Sequence, residues 1–344
     1  MRSSVGLSMA LASLTSAQLT KYAGVNIAGF DFGCKTDGSF VADEMLPPLS
    51  DTSGIDGIGQ MEHFSQDHGL NVFRLPVAWQ YLTNNQVGST LSEENLGLYD
   101  QLVQGCLGTG ALCIIDIHNY ARWDNTFVGQ GGPTDDDFVS LWTQLATKYA
   151  SESSIAFGVM NEPHDVPDLE VWGQTVQKVV TAIREAGATD QIILMPGDDW
   201  TSAGAFVENG SAEILSNVSN PNGSTTNLIF DVHRYLDSDN SGTHVECVTN
   251  NVDDSFAPLA TWLRDAGRQA FLTETGGGNV DSCVQYMCEQ LESLNENSDV
   301  YLGWVGWAAG SFDDTYELVL TPTGSAGNWQ DTTLLTSCIA GAHQ

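Results

Sequence analysis

Two glutamates stand at positions where paired carboxylates could act on one substrate. Glu162 follows an apolar run in the sequence Asn-Glu-Pro-His, and Glu274 follows another in Thr-Glu-Thr-Gly. Two carboxyl groups across one cleft are the minimum apparatus for glycoside hydrolysis, in which one protonates the leaving oxygen and the other attacks the anomeric carbon or activates water. The first chemistry that these residues indicate is therefore cleavage of a glycosidic bond.

Further polar and aromatic residues end other apolar runs. A guanidinium from Arg74, with an imidazole or phenol from His233 and Tyr235, could keep one carboxyl ionised while the other stays protonated, and the reaction needs that division. Tryptophans that follow runs could stack on sugar rings; these are Trp79, Trp123, Trp200 and Trp307. The predicted substrate-binding residues are Arg74, His118, Asn161, Trp200, His233, Tyr235 and Trp307.

A metal-dependent hydrolase is a weaker alternative. Two matching steps, Asp116-x-His118 and Asp231-x-His233, offer histidine and carboxylate ligands for zinc or another divalent ion. The sequence has no His-x-His and no third histidine at the end of a run. We therefore expect no metal in the active site.

The elements that position these residues alternate between short apolar runs and segments of helical periodicity. Eight such units are the number expected for a single parallel (β/α)8 TIM barrel. A doubly wound open sheet would alternate in the same way, but no GxGxxG follows the first run. The predicted strands are 22–30, 71–77, 113–119, 155–163, 191–197, 227–235, 269–275 and 301–309, and the clearest helices are 135–150, 169–186, 258–266 and 282–294.

In a parallel barrel the active site lies at the carboxyl ends of the strands. Glu162 ends the fourth run and Glu274 the seventh, so the two can face each other across the barrel mouth. Asn161 and Glu162 are neighbours, and both can reach the site only if the strand end is irregular. Pro163 predicts an extended backbone at Glu162. Trp142, Trp172 and Trp262 fall in helical segments and are expected in the core.

The charge is one-sided: 11 Lys and Arg oppose 44 Asp and Glu among 344 residues, for a formal net charge of -33. Such a chain would be repelled by nucleic acid and by anionic membranes, whereas a neutral polymer would not be repelled. Self-repulsion among uncompensated carboxylates also predicts better stability at about pH 4 to 5 than at pH 8. No linker or repeat divides the chain, so one domain is predicted over residues 18–344.

The N-terminus has the pattern of a secretory signal peptide over residues 1–17, with Arg2, an apolar run and Thr-Ser-Ala at its end. No other stretch approaches the length of a membrane span. We therefore predict a secreted, extracellular protein with disulfides. Seven cysteines leave one over, and three sequons begin at Asn209, Asn217 and Asn222.

The motifs together resemble glycoside hydrolase family 5, in particular the fungal endoglucanase II type of cellulase. The resemblance runs from about Tyr22 to near the C-terminus. It rests on Phe-Arg-Leu-Pro (73–76), Asp-Ile-His-Asn-Tyr (116–120), Met-Asn-Glu-Pro-His-Asp (160–165), Phe-Asp-Val-His-Arg-Tyr (230–235), Leu-Thr-Glu-Thr-Gly-Gly (272–277) and Gly-Trp-Val-Gly-Trp (303–307).

The resemblance implies a retaining mechanism on β-1,4-glucan that uses no cofactor. Glu162 matches the acid/base, Glu274 the nucleophile, and Asn161 the residue that binds the sugar 2-hydroxyl. Arg74 and Tyr235 would lie near the nucleophile, His233 near the acid/base, and Trp307 under a sugar ring. His118 matches a further active-site position. Retention requires carboxyl groups about 5 to 5.5 Å apart, against about 6.5 to 9.5 Å for inversion.

The sequence departs from its relatives at two points. Phe40 stands where a cysteine partner of Cys34 is expected, so Cys34 is the predicted free thiol. Some relatives also carry a cellulose-binding module and linker before the barrel; here the barrel follows the predicted signal, so we expect weak adsorption to crystalline cellulose. The resemblance implies disulfides from Cys106 to Cys113, from Cys247 to Cys283, and from Cys288 to Cys338.

We thus expect a secreted, monomeric endo-β-1,4-glucanase whose partner is a β-1,4-glucan polysaccharide. The same machinery could act on mannan, mixed-linkage glucan or xyloglucan, because substrate choice depends on loops. A barrel that binds carbohydrate without cleaving it is an alternative from another class.

Overall fold

Eight parallel strands close into a barrel in this computed structural model, which describes residues 19–343. Each strand pairs with the next along the chain, and the last pairs with the first. The prediction of a (β/α)8 barrel is confirmed, and the open sheet is excluded. The predicted signal peptide, residues 1–17, lies outside the described residues. The strands are β1 (Tyr22–Ala28), β2 (Val72–Val77), β3 (Leu112–Ile117), β4 (Ile155–Gly158), β5 (Ile192–Pro196), β6 (Leu228–His233), β7 (Ala270–Thr275) and β8 (Tyr301–Gly310).

Helices surround the barrel, and the four predicted from periodicity are found with ends that differ by at most two residues. Local signals explain where they begin and end. Thr134 and Asp137 form a capping box before one helix, and Gly69 ends another in the left-handed conformation with φ of 70°. The α-helices are Ser50–Ser53, Gly57–His68, Trp79–Leu82, Glu93–Gly108, Asp135–Tyr149, Leu169–Glu185, Ser211–Ser216, Ala257–Ala266 and Asp281–Glu296.

Shorter elements complete the chain. A two-strand antiparallel hairpin, Arg122–Trp123 with Thr126–Phe127, follows β3. The remaining short helices are Ala42–Glu44, Val252–Phe256, Leu335–Ile339 and Gly341–His343. No helix within residues 19–343 is long and apolar enough to cross a membrane.

One layer of apolar side chains fills the barrel interior, since seven of the eight strands contribute to a single buried cluster. Side chains two positions apart on a strand share a face, so the residues that follow this layer on the same face point toward the barrel mouth. The layer consists of Val72, Leu112, Ile114, Ala156, Leu194, Ile229, Phe271 and Val305.

A larger apolar cluster lies between the strands and the helices, and it contains most of the tryptophans. Trp142 and Trp172 are fully buried in it, as predicted, and Trp262 packs against it. Trp79 is also fully buried, so its predicted role as a sugar platform is wrong. The reason is local: Trp79 begins the short helix Trp79–Leu82, which turns its ring onto Phe138 and Trp123 instead of the mouth.

The three predicted disulfides are present. Cys106 joins its helix to Cys113 of β3, and Cys247 joins a loop at the mouth to Cys283. The third bridge joins Cys288 to Cys338. Cys34 is free, as expected.

Candidate active site

A polar layer lies directly above the apolar layer of the barrel, and strand alternation puts it there. Val72 is followed by Arg74 on the same face of β2, and Val305 by Trp307 on β8. The same period takes Ile114 to Asp116 on β3 and to His118 just beyond its end, and it takes Ile229 to Asp231 and His233 on β6. The barrel mouth therefore collects charged side chains from several strands at one level.

Arg74 is at the centre of this layer and is completely buried. Its Nη1 donates to Glu274 Oε1 at 2.5 Å and to Asn26 Oδ1 at 3.0 Å. Its Nη2 donates to Asn161 Oδ1 at 2.7 Å and lies 3.0 Å from Asp116 Oδ1. Burial alone would lower the pKa of Arg74, but Asp116, Glu274 and Asp231 outweigh it and raise that pKa. A fixed positive charge thus sits between the candidate nucleophile and its neighbours.

Glu274 reaches the mouth because the strand pairing is irregular beside it. The register of β7 shifts against β6 between Val232 and His233, which takes Glu274 out of strict alternation. Its Oε2 accepts a hydrogen bond from the Tyr235 hydroxyl at 2.6 Å. Burial raises the pKa of Glu274, but the charges of His233 and Arg74 and the Tyr235 hydrogen bond bring that pKa below its ordinary value. The carboxyl group is therefore held in the ionised form.

Glu162 lies beyond the end of β4 and has an unusual backbone conformation. Its φ is +40°, so the extended conformation predicted from Pro163 is wrong. This region is strained for a residue with a Cβ, and such strain concentrates at functional sites. Hydrogen bonds on both sides hold it: Asn161 N donates to Ile117 O at 2.7 Å, and Trp200 N donates to Pro163 O at 2.9 Å. The predicted irregular strand end is present, and it lets both Asn161 and Glu162 face the mouth.

His233 connects the two glutamates. Its Nδ1 lies 2.7 Å from Glu162 Oε1 and 3.5 Å from Glu274 Oε2. Its Nε2 is 2.9 Å from Thr273 Oγ1, whose hydroxyl in turn donates to the buried carboxylate of Asp231. Burial lowers the pKa of His233, but Glu274 and Glu162 outweigh it and raise that pKa. One oxygen of Glu162 and one of Glu274 lie within 4.8 Å of each other and of this imidazole.

Asn161 is oriented by Arg74. Because its Oδ1 accepts from the guanidinium, its Nδ2 points elsewhere, and that buried donor has no hydrogen-bond partner among residues 19–343. A buried donor without a partner is costly unless a bound molecule satisfies it. The amide is thus available to a hydroxyl group placed between the two glutamates.

Aromatic rings form the walls of a cleft of about 580 Å³ above the glutamates. Trp307 stacks on His118 with ring centroids 5.5 Å apart and planes 14° apart, and its Nε1 donates to Tyr316 Oη at 2.9 Å. Trp200, 38% exposed, stacks on His164 at 3.8 Å. Flat apolar faces beside a few fixed polar groups suit a sugar chain.

All nine predicted site residues meet at this mouth. Glu162, Glu274, His118, His233, Tyr235, Trp200 and Trp307 line the cleft, and Arg74 and Asn161 lie directly beneath it. Three further contributors were not among the predicted catalytic or substrate-binding residues, and Asp116 was named only as a possible metal ligand. Asn26 and Asp116 are polar residues inside apolar strand runs, which is a signal that the sequence does carry; Tyr316 lies in the loop after β8 and has no such signal.

Two carboxyl groups at the mouth of a parallel barrel, with one oxygen of each within 4.8 Å of the other, suit a retaining glycoside hydrolase, since inversion requires a gap of about 6.5 to 9.5 Å. Comparison with known proteins agrees with this class. Residues 42–310 match the family described as cellulase (glycosyl hydrolase family 5). The chain belongs to this family.

Individual relatives cover most of the chain. It is 64% identical over 324 residues to endoglucanase EG-II of Hypocrea jecorina, which covers 93% of this chain and 77% of the relative. It is 46% identical over 319 residues to the manganese dependent endoglucanase Eg5A of Phanerodontia chrysosporium, covering 91% and 79%. The crystal structure of Cel5A (EG2) from Hypocrea jecorina superposes with a TM-score of 0.92 at 63% identity, covering 93% of this chain and 98% of that one.

Proposed function

We propose that Glu162 and Glu274 make this protein a retaining endo-β-1,4-glucanase that cleaves internal bonds of β-1,4-glucan. The chain has the endoglucanase family's barrel and its relatives are endoglucanases. The observation that carries the retaining mechanism is the separation of the two glutamates, which have one oxygen each within 4.8 Å of the other. The hydrogen bonds from Arg74 and Tyr235 to Glu274 support its role as the nucleophile. That gap suits direct attack by one carboxylate and leaves too little room for the water of an inverting reaction.

In the first step, a Glu274 carboxylate oxygen attacks the anomeric carbon and the bond from that carbon to the glycosidic oxygen breaks. Glu162 gives its proton to the departing oxygen, so the leaving chain departs as an alcohol. Arg74 and Tyr235 favour the ionised Glu274 needed for attack. The product of this step is a glycosyl ester on Glu274 and an ionised Glu162.

In the second step, Glu162 acts as the base. It takes a proton from water, the water oxygen attacks the anomeric carbon, and Glu274 leaves as a carboxylate. Two displacements at the same carbon restore its configuration. His233, hydrogen-bonded to Glu162, stabilises the negative charge that Glu162 carries between the steps.

The remaining residues hold the substrate. The free Nδ2 donor of Asn161 would bind the 2-hydroxyl of the sugar attached to Glu274, a contact that strengthens in the transition state. Trp307, kept in place by His118 and Tyr316, offers its face to a sugar beside the scissile bond, and Trp200 offers a second face farther along the cleft.

The test of function compares the fall in viscosity of soluble carboxymethyl cellulose with the release of reducing ends from it. We expect viscosity to fall early, as internal cleavage requires, and the activity to be lost in Glu274→Gln. The same assay on mannan, xyloglucan and mixed-linkage glucan identifies the preferred glycan. Activity confined to one of those polymers would overturn the β-1,4-glucan assignment while leaving the mechanism in place.

The two roles are separated by rescue with azide on an activated aryl cellobioside. In Glu274→Ala, azide would replace the nucleophile and give the α-glycosyl azide. In Glu162→Ala, azide would attack the intermediate on Glu274 and give the β-glycosyl azide. Products of the opposite configuration would reverse the assignment of the two glutamates.

We propose that the protein is secreted as a monomer after removal of residues 1–17. Asn217 and Asn222 are exposed and suit glycan attachment, whereas Asn209 is partly buried. N-terminal sequencing of the secreted protein, light scattering, and mass spectrometry after enzymatic deglycosylation test these three points. A mass change at Asn209 alone would contradict the glycan assignment.

A further inference from the structure

A second cluster of ligating side chains lies on the far side of the barrel from the cleft. The helix Gly57–His68 follows β1 and returns toward the amino ends of the strands, so His68 at its end lies just before β2. His63 from the same helix and Asp331 from the chain after β8 complete the cluster. One ligand atom from each of the three residues lies within 4.8 Å of the others.

The three side chains converge on one point. His63 Nε2 lies 2.9 Å from Asp331 Oδ1, and His68 Nε2 lies 2.8 Å from Asp331 Oδ2. The cluster is largely withdrawn from solvent, because the side chains of His63, Asp331 and His68 are 6%, 10% and 17% exposed. The His63 ring also packs beside Trp329, with ring centroids 5.9 Å apart.

A fourth residue orients His63. Its Nδ1 lies 2.6 Å from Asp67 Oδ2, so both nitrogens of one imidazole face carboxylates. A doubly protonated ring satisfies both carboxylates, and so does a ring protonated only at Nδ1 whose Nε2 lone pair binds a cation shared with Asp331. A carboxylate behind a histidine is also the usual outer partner of a metal ligand, because it fixes the ring and increases its basicity.

We propose that His63, His68 and Asp331 form a binding site for a divalent transition metal ion. Two imidazoles and one carboxylate suit Zn²⁺, Cu²⁺, Ni²⁺ or Co²⁺ better than the hard ions Mg²⁺ and Ca²⁺, which prefer oxygen ligands. Metal bonds of about 2.0 to 2.2 Å need only a small adjustment of ligands already in hydrogen-bond contact. Water would supply the remaining coordination position.

The ion would be structural. It would join the helix after the first strand to the segment after the last strand, at the end of the barrel that contributes to stability and not to catalysis. Binding to the folded chain alone raises the unfolding temperature in proportion to the logarithm of the metal concentration. We therefore expect stabilisation by the metal without a change in the rate of glucan cleavage.

The test uses the full chain, freed of metal with a chelator, and titrates Zn²⁺ by calorimetry and by thermal unfolding. We expect one tight site with Kd in the micromolar range and a rise in unfolding temperature. His68→Gln and Asp331→Asn should each weaken Zn²⁺ binding at least tenfold. His68→Gln is the first choice because this side chain is the most exposed of the three ligands, so its loss disturbs the core least.

Two other clusters could bind Zn²⁺, the catalytic group with His233 and the exposed group of Asp237, Asp239 and His244. His244→Gln is therefore the matched control and should leave the tight site intact. Quenching of tryptophan fluorescence by Cu²⁺ gives an independent measurement, since Trp329 lies beside His63. The Trp329→Phe variant should lose the part of the fluorescence that Cu²⁺ quenches in the wild type. The proposal would be overturned if the wild type did not bind Zn²⁺, or if the wild type, His68→Gln and Asp331→Asn bound it equally well.

Discussion

Arg74 and Tyr235 hold different oxygens of Glu274, and this division decides how each would affect the reaction. The guanidinium bonds Oε1 and also Asn26, Asn161 and Asp116, so its removal would disturb the whole polar layer. The Tyr235 hydroxyl donates to Oε2. Tyr235 is therefore the better residue with which to probe the nucleophile alone.

We predict that Tyr235→Phe moves the acidic limb of the kcat/KM profile to higher pH. The lost hydrogen bond lowers the pKa of Glu274 in the wild type, so that pKa rises in the variant, and the ionised nucleophile is lost at a higher pH. Tyr149→Phe is a matched control, because it removes a tyrosine hydrogen bond to a carboxylate, that of Asp100, far from the cleft. An unchanged acidic limb in Tyr235→Phe would contradict the prediction.

Asn161→Ala should lower kcat/KM by about a hundredfold or more, since contacts to the 2-hydroxyl supply several kcal/mol in the transition state. The loss should shrink strongly on an aryl glycoside that lacks the 2-hydroxyl, because the donor then has nothing to bind. The measurement is kcat/KM for the wild type and for Asn161→Ala, each on the glycoside with the 2-hydroxyl and on the one without it. An equal loss on both substrates would indicate that Asn161 acts only through its contact with Arg74.

At the level of elements, the strands were predictable because each is a continuous apolar run. The polar residues at the strand ends continue the alternation of side chains between the two faces of the strand. Arg74, His118 and His233 follow directly from that period. Glu162 and Glu274 do not, since one has a positive φ and the other lies beside a register shift. Such local departures depend on neighbouring strands, so only the motifs around the glutamates indicated them.

The N-terminal loop offers a test by an added disulfide. Cys34 and Phe40 face each other as a non-hydrogen-bonded antiparallel pair, because Lys35 N donates to Ser39 O and Val41 N donates to Gly33 O on either side. Such pairs have Cα atoms about 4.5 Å apart, within the range that a disulfide spans. Phe40→Cys should thus form a fourth disulfide and remove the free thiol.

The chain-entropy account of a loop this short gives a stabilisation of about 2 kcal/mol, less whatever the loss of the Phe40 ring costs. The measurements are thiol titration under denaturing conditions and the unfolding temperature. Phe40→Ser reports the cost of losing the ring, and Cys34→Ser combined with Phe40→Cys should show one thiol and no gain. One or more free thiols in purified Phe40→Cys, despite oxidising conditions, would show that the pair does not close.

For the whole molecule, we predict a higher unfolding temperature at pH 5 than at pH 8. The pKa values of His118 and His233 are raised because their carboxylate neighbours outweigh burial, so the stability they contribute is full below about 6.5 and is lost as pH rises through the raised values. Burial raises the pKa values of Asp31 and Asp231 in the folded protein. Ionising these two carboxyl groups as pH rises therefore also costs folding stability. The lowered pKa of Glu274 opposes them only in more acidic solution.

Net charge adds to this trend, since the formal charge of -33 repels itself more as carboxyl groups ionise. Added salt separates the two causes. Screening should reduce the contribution of exposed charges, whereas the buried histidines are affected much less. A higher unfolding temperature at pH 8 than at pH 5, at any salt concentration, would contradict the prediction.

The closure of the barrel has a consequence for the order of events during synthesis. The Asn26 side chain donates from β1 to Thr273 O and Gly306 O, 247 and 280 positions later in the chain, and it also accepts from Arg74. A ribosome must therefore finish β7 and β8 before the central guanidinium has its partners. The nascent chain would carry the helices up to Ala257–Ala266 before it has Glu274, so the hydrolase stays silent until β7 and β8 have joined the barrel.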